Sequence, residues 1–526
     1  MNHHTPLDTR AILQSGVLIT LLALLCGAIG IYVITDPAII ESQTLYIAAM
    51  VIDQEYQNDV NWNRLTNSAR DAMIDRLDRY SGIVTDEDFS EMDEQMTGSY
   101  GGIGTSIVGR DRGLLIVSVV DGGPADQAGL MDGDLIIRAD SVDLGTLTMH
   151  NAARRLRGEK GSRIELAVLR PGSADTLTIE VTRGRIPYTH IPYAGIRPDS
   201  VAYIRLTDFD AGAAEAVEQS LDSLNVSSNN SALKGFILDL RGNPGGLYRE
   251  AVATASLFLP AGTFIVGTEG RSRWTQATDR AAGGDRTEGI PMVVMVDRNS
   301  ASASEITAGA LRQAERAVLV GDTTFGKGLV QGFVRIPGQY GLRLTISRYY
   351  LDGRLFLNQF DSTLQEIGKG LTPDVEYKAD YDQLFVSRLE SSLLLQQFAH
   401  SHQDELIYDG QDLILHDSWI DDFMELARKE GFEFVSDLSG DIEMLAEMAQ
   451  DEDSPKIVRM IEKLRRIAHK DDMNQFRRHA EYIKMRLLQL ALQRKYSVYA
   501  AYKQAVSLLS PEIVFAAGQF DHNHAD

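Results

Sequence analysis

Cysteine is almost absent from this chain: Cys26 is the single one in 526 residues. That excludes an intrachain disulfide framework and any cysteine-rich metal site. Positive charge is also in short supply. Against 74 Asp and Glu stand 51 Lys and Arg, a net charge of −23, which argues against general nucleic-acid binding and for a well-solvated acidic surface. Long apolar runs are missing too, with one exception, Val17 to Ile34, which carries no charge and only Thr20 as a polar residue. The rest of the composition is ordinary. A hydrophobic share of 44% allows sizeable cores, 24% charged residues is usual for soluble domains, and the length predicts about three or four domains.

The apolar run spans about the minimum length of a bilayer helix. A cleaved signal peptide, a lipoprotein signal with Cys26 as the lipidated residue and an uncleaved anchor compete for it. Leu25 is too bulky to precede a lipidated cysteine, the run continues beyond Cys26, and no small-x-small cleavage site follows. The expectation is an uncleaved anchor at 15–35 behind a short cytoplasmic tail, 1–14. Arg10 precedes the run, whereas Asp36 and Glu41 follow it. Basic flanks stay in the cytoplasm, so the chain is expected in a bacterial inner membrane, single-pass, with its bulk periplasmic or extracellular. Residues 36–96 then read as a polar helical segment, with apolar spacing through Leu45, Ala48, Ala49 and Ile52 and through Ala69, Met73, Ile74 and Leu77, suited to packing or dimer formation.

A glycine-dense stretch, Tyr100-Gly101-Gly102-Ile103-Gly104, opens the next part. Strand-like runs follow at Leu114–Val120, Leu135–Arg138, Arg163–Leu169 and Thr176–Thr182, with helices at Ala125–Ala128 and near Met149–Leu156. Together with Gly-Pro-Ala-x-x-Ala-Gly-Leu-x-x-Gly-Asp at 123–134, residues 97–187 resemble a PDZ domain. The resemblance implies that backbone N–H groups around Tyr100, Gly102, Ile103 and Gly104 receive a peptide's C-terminal carboxylate while the peptide adds a strand to the sheet edge.

Residues 188–378 alternate apolar strands with amphipathic helices, the pattern of an α/β core. Strands are predicted at 200–206, 235–240, 292–296, 317–320 and 342–346, and helices at 211–224, 248–258 and 302–312. Two polar sites stand at strand ends, where such sheets place chemistry. Ser302 lies in Asn299-Ser300-Ala301-Ser302-Ala303-Ser304-Glu305 after one apolar strand, and Lys327 lies in Thr324-Phe325-Gly326-Lys327-Gly328 after another. A desolvated lysine can serve a serine nucleophile as base without any histidine. Glu305, three residues beyond Ser302, suits a capping box, and a helix N-terminus favours a developing oxyanion. Ser300 and Ser304 remain rival nucleophiles. Asp239-Leu240-Arg241-Gly242-Asn243-Pro244-Gly245-Gly246 ends a strand in a turn that could bring N–H groups to a carbonyl; as a phosphate cradle it lacks the Gly-Lys-Ser/Thr ending. Ser231-Ala232-Leu233-Lys234 spells a Ser-x-x-Lys signature, but it precedes a strand instead of opening a helix and is read as chance.

The run 300–305, Thr-Phe-Gly-Lys-Gly-Leu-Val-Gln at 324–331, the Asn-Pro-Gly-Gly turn and the PDZ-like segment together resemble the C-terminal processing peptidases, or tail-specific proteases. Tyr349-Tyr350-x-x-Gly353-Arg354 and Gly370-Leu371-Thr372-Pro373-Asp374 extend the match, which covers about 40–378. The resemblance implies an α/β catalytic core of ClpP/crotonase-like type with an inserted PDZ domain. It implies Ser302 as nucleophile, Lys327 as general base and Gln331 as the residue orienting the lysine amine. Backbone N–H groups of Ala303 and of Gly245 or Gly246 would form the oxyanion hole. It also implies that tail capture by the PDZ domain gates the site.

Residues 379–526 lie outside that match and read as a helical C-terminal extension. Twelve Lys and Arg stand against four Asp and Glu between Lys456 and Lys495, and Ile457, Ile461, Leu464, Ala468, Ile483, Leu487 and Leu490 keep helical spacing. Solvated charge on core-packed helices is the preferred reading over a membrane-surface or partner-docking helix. The expectation for the whole is a membrane-anchored serine endopeptidase that cleaves proteins near accessible C-terminal tails, without metal, cofactor or nucleic acid. Homo-oligomer or adaptor contacts are expected through the helical regions. The rival is a catalytically silent PDZ scaffold that binds such tails, against which the intact Ser302, Lys327 and Gln331 argue.

Overall fold

The computed structural model describes residues 37–522 except 111, 121, 171–174, 225, 227–232, 337–340, 352–354, 358, 361–365, 368–369, 378–382, 409–412, 415–417, 433–440, 443, 447–454 and 497. The anchor expected at 15–35, Cys26 included, lies outside the described residues, as do Ser231 and Gly353-Arg354. Among the described residues no helix is long and apolar enough to cross a membrane. The described residues divide into two compact units, with the division between Arg79 and Tyr80. In the first, helices α1 (Pro37–Glu55) and α2 (Trp62–Ile74) bury none of their residues. The apolar spacing read at Leu45 and Ile52 therefore marks an exposed face.

The second unit starts with a strand at Gly82–Val84 that pairs with a long strand far down the chain, Gly341–Leu351. Helix α3 (Asp86–Thr97) follows, closed at its start by a capping box between Thr85 and Asp88. The segment expected to be helical throughout 36–96 thus contains a strand and is divided between the two units. After α3 come β1 (Ser99–Gly102), β2 (Thr105–Arg110), β3 (Gly113–Val119), β4 (Leu135–Ala139), α4 (Met149–Leu156), β5 (Arg163–Leu169), β6 (Leu177–Thr182) and β7 (Gly184–Pro187). Strands β2 to β6 form one antiparallel sheet in the order β2-β3-β4-β5-β6, over a core that includes Ile116, Ile136, Ile164 and Val181. Strand β1 pairs with β7, so the domain's entry and exit are tied together as a stalk.

The α/β core is built on the sheet β8 (Tyr193–Ile196), β9 (Val201–Arg205), β10 (Gly235–Asp239), β11 (Met292–Val296), β12 (Val318–Gly321) and β13 (Val375–Glu376), in that spatial order. Only β8 runs antiparallel to its neighbour; the other pairings are parallel. Every residue of Gly-Phe-Ile-Leu-Asp (β10) and Met-Val-Val-Met-Val (β11) is buried, because a parallel sheet covered on both faces needs continuous apolar runs. One face is covered by α5 (Ala213–Ser223), α6 (Tyr248–Ser256) and α7 (Ala303–Gln313). Small residues let α7 be buried from Ala303 to Leu311; a Cβ on Gly309 would stand 2.3 Å from the Leu351 side chain.

The opposite face is covered from outside the matched region. Helices α8 (Gln383–Ser392), α9 (Leu394–His402), α10 (Trp419–Lys429), α11 (Pro455–Arg478) and α12 (Ala480–Lys495) belong to the C-terminal extension, with a core around Phe385, Phe398, Trp419, Phe423 and Leu487. The last helix, α13 (Pro511–His522), leaves that core and lays Ile513, Ala516 and Phe520 on Tyr203, Ile237, Val293 and Met295 of the sheet. The extension is thus part of the α/β/α sandwich. The basic stretch divides: α12 buries Ile483 and Leu487, but Met460, Leu464 and Ile467 of α11 remain exposed, so core packing holds for only part of it. Phe520 lies so close to β10 that a Cβ on Gly235 would be 2.5 Å from its ring. Phe520→Ala should therefore cost the α/β core about 3–5 kcal/mol. A lowered denaturant midpoint checks this; an unchanged midpoint would mean that α13 is not integral to the core.

Candidate functional site

The strand β11 ends at Val296 and the chain turns through Asp297–Ala301 into α7. Asp297 fixes the turn by accepting from the N–H groups of Asn299 (3.0 Å) and of Gly242 on the neighbouring loop (2.8 Å). Ser300 and Ser304 are fully buried, and their hydroxyls donate to the carbonyls of Leu240 (2.8 Å) and Asn243 (2.9 Å). Both rival serines are therefore bonds between two loops. Ser302 is partly exposed and stands at φ 54°, ψ −110°, a conformation that a side-chain-bearing residue rarely holds and that aims it off the end of the helix.

Glu305 brings the second segment in. Its carboxylate, fully buried one helical turn into α7, accepts from Ser302 N–H (2.9 Å), Thr324 Oγ1 (2.5 Å), Gly326 N–H (2.7 Å) and Lys327 N–H (2.8 Å). Burial pushes its pKa up, against the lowering by these four donors. Tyr349, on β15 (Gly341–Leu351) beside β14 (Leu329–Arg335), works from the other side. Its hydroxyl lies 3.2 Å from the Ser302 carbonyl oxygen and also donates to that of Lys327. Burial pushes this phenol well up, so it keeps its proton as a donor. Ser302 and Lys327 are thus pinned, backbone to backbone, at two places.

Lys327 has its pKa lowered, first by burial and then by the Arg343 guanidinium, with the Glu305 charge opposing. Its Nζ lies 5.6 Å from the Tyr80 ring centroid. Gln331 follows on β14 at a bulge in the pairing with β15, and its Nε2 is buried without a hydrogen-bond partner. No hydrogen bond among the described residues joins Ser302 Oγ, Lys327 Nζ and the Gln331 amide to one another.

The turn after β10 supplies the facing wall. Gly245, at φ 102°, is so close that a Cβ would lie 2.9 Å from Ser302 Cβ and 2.9 Å from Ala303 N. Its own N–H is taken by Asn243 Oδ1 (2.9 Å). Phe209 N–H donates to the Gly245 carbonyl (2.9 Å) and Leu247 N–H to that of Phe209 (2.8 Å), which skips Gly246. The N–H groups of Ala303 and Gly246 have no acceptor among the described residues. Of the two glycines read from the sequence, Gly246 is the one with a donor to offer.

In the PDZ-like domain, Tyr100 and Gly102 lie on β1, and the Ile103 side chain is buried in the domain core. Gly104 takes φ 78° and its carbonyl accepts from Val120 N–H (3.0 Å). Strand β2 is the outer strand of its sheet with α4 alongside, Met149 packing 3.2 Å from where a Gly109 Cβ would be. That leaves one strand edge open to pairing.

Glu305, Tyr349 and Thr324 are the residues the sequence reading did not assign to the site. Glu305 was visible only as a cap; nothing local marks it as the acceptor for a loop 21 positions away. Glu305→Gln keeps one acceptor oxygen but sets an NH2 donor against one pair of donors, and should lower stability by about 2–4 kcal/mol. Denaturant unfolding checks this; an unaltered midpoint would show that the four bonds carry no weight.

Two family models match the chain: Peptidase family S41 over residues 200–377 and PDZ domain over 101–181. The carboxy-terminal-processing protease of Bartonella bacilliformis is 32% identical over 312 residues, 59% of this chain and 69% of that protein. Carboxy-terminal processing protease CtpA of Bacillus subtilis is 31% identical over 299 residues, covering 57% and 62%. The carboxyl-terminal-processing protease of Synechocystis sp. is 37% identical over 292 residues, covering 54% and 66%. The chain spans about two thirds of the length of these curated relatives.

Proposed function

The chain belongs to the carboxy-terminal-processing proteases of peptidase family S41, and from that premise we propose that it is an endopeptidase working through Ser302, Lys327 and Gln331. The observation that carries this reading is the double tie of Ser302 to Lys327 through Glu305 and Tyr349. It holds a hydroxyl and a desolvated amine on facing backbones.

In this mechanism Ser302 Oγ attacks the scissile carbonyl carbon while Lys327 Nζ, neutral, takes the hydroxyl proton. The carbonyl oxygen becomes an oxyanion facing the N–H groups of Ala303 and Gly246, backed by the N-terminus of α7. Collapse of the tetrahedral intermediate breaks the C–N bond, and the amine leaves with the proton from Lys327. Water then loses a proton to Lys327, attacks the acyl-enzyme and frees the new carboxylate with Ser302 restored. Gln331 would hold Lys327 Nζ in line through its amide oxygen. The unpartnered Gln331 amide supports a resting site that tightens when substrate arrives, since a buried amide without a partner costs about 1–3 kcal/mol. The substrate class is a protein with an accessible C-terminal tail, captured at the open edge of β2 near Tyr100, Gly102, Ile103 and Gly104. Membrane anchoring through 15–35, an outward-facing location and oligomer or adaptor contacts through the helical regions belong to the same proposal.

Ser302→Ala and Lys327→Ala should each abolish turnover of an unstructured protein substrate, and cleavage by both variants would overturn the assignment. In the active enzyme kcat/KM should rise with pH through an ionisation below the ordinary lysine value of 10.5, because the base works deprotonated and its pKa is lowered. A pH profile that falls across that range would rule out Lys327 as the base. Removing or capping the terminal residues of the substrate should raise KM; processing indifferent to that change would remove the PDZ domain from recognition.

A further inference from the structure

Away from the reacting groups, a buried cluster of charge closes the carboxyl end of β10. Asp239 is fully buried and accepts from Tyr203 OH (2.7 Å), Arg205 Nη1 (2.9 Å), Arg241 N–H (3.0 Å), Arg241 Nε (3.0 Å) and Arg241 Nη2 (2.7 Å). Burial alone would push its carboxyl up, yet Arg205 and Arg241 hold it well below the usual range. One carboxylate facing two guanidiniums leaves an excess positive charge in a place with little water, which is costly unless a further anion balances it. Glu512, in the first turn of α13, stands there: its Oε2 is 3.7 Å from Arg241 Nη1 and is held by Ser510 Oγ at 2.6 Å. The two side chains are 22% and 16% exposed, so the pair is only lightly screened.

Arg241 is also part of the turn that carries Gly245 and Gly246. The same turn is pinned to the nucleophile's turn by Gly242 N–H to Asp297 and Ser300 Oγ to the Leu240 carbonyl. We propose that Glu512 is a positioning residue for catalysis, by which the C-terminal helix sets the turn bearing the oxyanion donor through its ion pair with Arg241. The inference rests on the reading of Gly246 and Ala303 as that donor pair. It gives the extension a role in turnover that its position outside the matched peptidase region does not suggest. Without the Glu512 charge, Arg241 keeps Asp239 but loses its outer anchor, and the turn after it gains freedom. Tail capture at β2 does not involve this pair, so KM should not move.

The test uses the full chain and steady-state cleavage of an unstructured protein substrate. Glu512→Gln should lower kcat by about 3- to 10-fold with KM unchanged, the size expected for residues that act on a site through another group. Glu512→Asp, which keeps the charge, should restore most of that loss. Ile513→Ala serves as the control, since it loosens α13 against the sheet without touching the pair. Wild-type kcat in Glu512→Gln overturns the proposal. So does a kcat loss that Ile513→Ala reproduces at the same fall in Tm, or one that Glu512→Asp fails to recover. Cleavage by Ser302→Ala would sink the underlying catalytic reading, whereas an inert Ser302→Ala beside a fully active Glu512→Gln sinks this inference alone.

Discussion

Taking the Glu305 carboxylate out of water costs several kcal/mol unless donors replace the lost solvent. Four do so, from two segments that meet nowhere else in sequence: the Ser302 N–H on one side, and the Thr324 hydroxyl with the Gly326 and Lys327 N–H groups on the other. Because the carboxylate is fixed on a helix buried along its length, those donors have one place to go. The positions of Ser302 and Lys327 follow from it, and Tyr349 repeats the constraint through the two carbonyls. A buried acceptor with its donors satisfied is a stiff joint, which suits the proposed pair, whose hydroxyl and amine would have to meet within hydrogen-bond reach.

The strain at Ser302 has the same origin. A φ of 54° at a serine persists only where the surroundings over-determine it. Here they include the Asp297 turn behind, the Glu305 bond to its N–H and the Gly245 backbone in front, at a distance no other residue type allows. The other two serines are spent on holding those loops together. The sheet beneath works in the same way on a larger scale: α5, α6 and α7 cover one face, and α13, drawn from the far end of the chain, covers part of the other.

Much of the fold was legible because its signals are local. Short apolar runs at 235–238 and 292–296, each bounded by turn residues, fit buried strands in a covered parallel sheet, and the glycine and proline punctuation at 122–134 fits one small domain. The strand at Gly82–Val84 was not legible, since three residues carry no periodicity and its partner lies more than 250 positions away. The helical spacing of Leu45 and Ile52, and of Leu464 in the basic stretch, was real but did not say whether anything packs on it; in the structure those residues are exposed. Ser300, Ser302 and Ser304 are chemically alike in sequence, and only burial and hydrogen bonding separate them.

By itself, then, the sequence determined the chemical inventory and its order: a serine at a helix start, a lysine in a glycine loop, a glycine turn after a buried strand, and the PDZ-like segment before them. Residue types and short spacings suffice for that, because strand, turn and cap preferences act over a few residues. The tertiary structure decided which serine is accessible, which glycine keeps a free N–H, which carboxylate joins the two loops and where the C-terminal helix lies. These depend on which distant groups share one desolvated space, and there a polar atom must find its partner wherever the fold brings one, not where the chain order puts it.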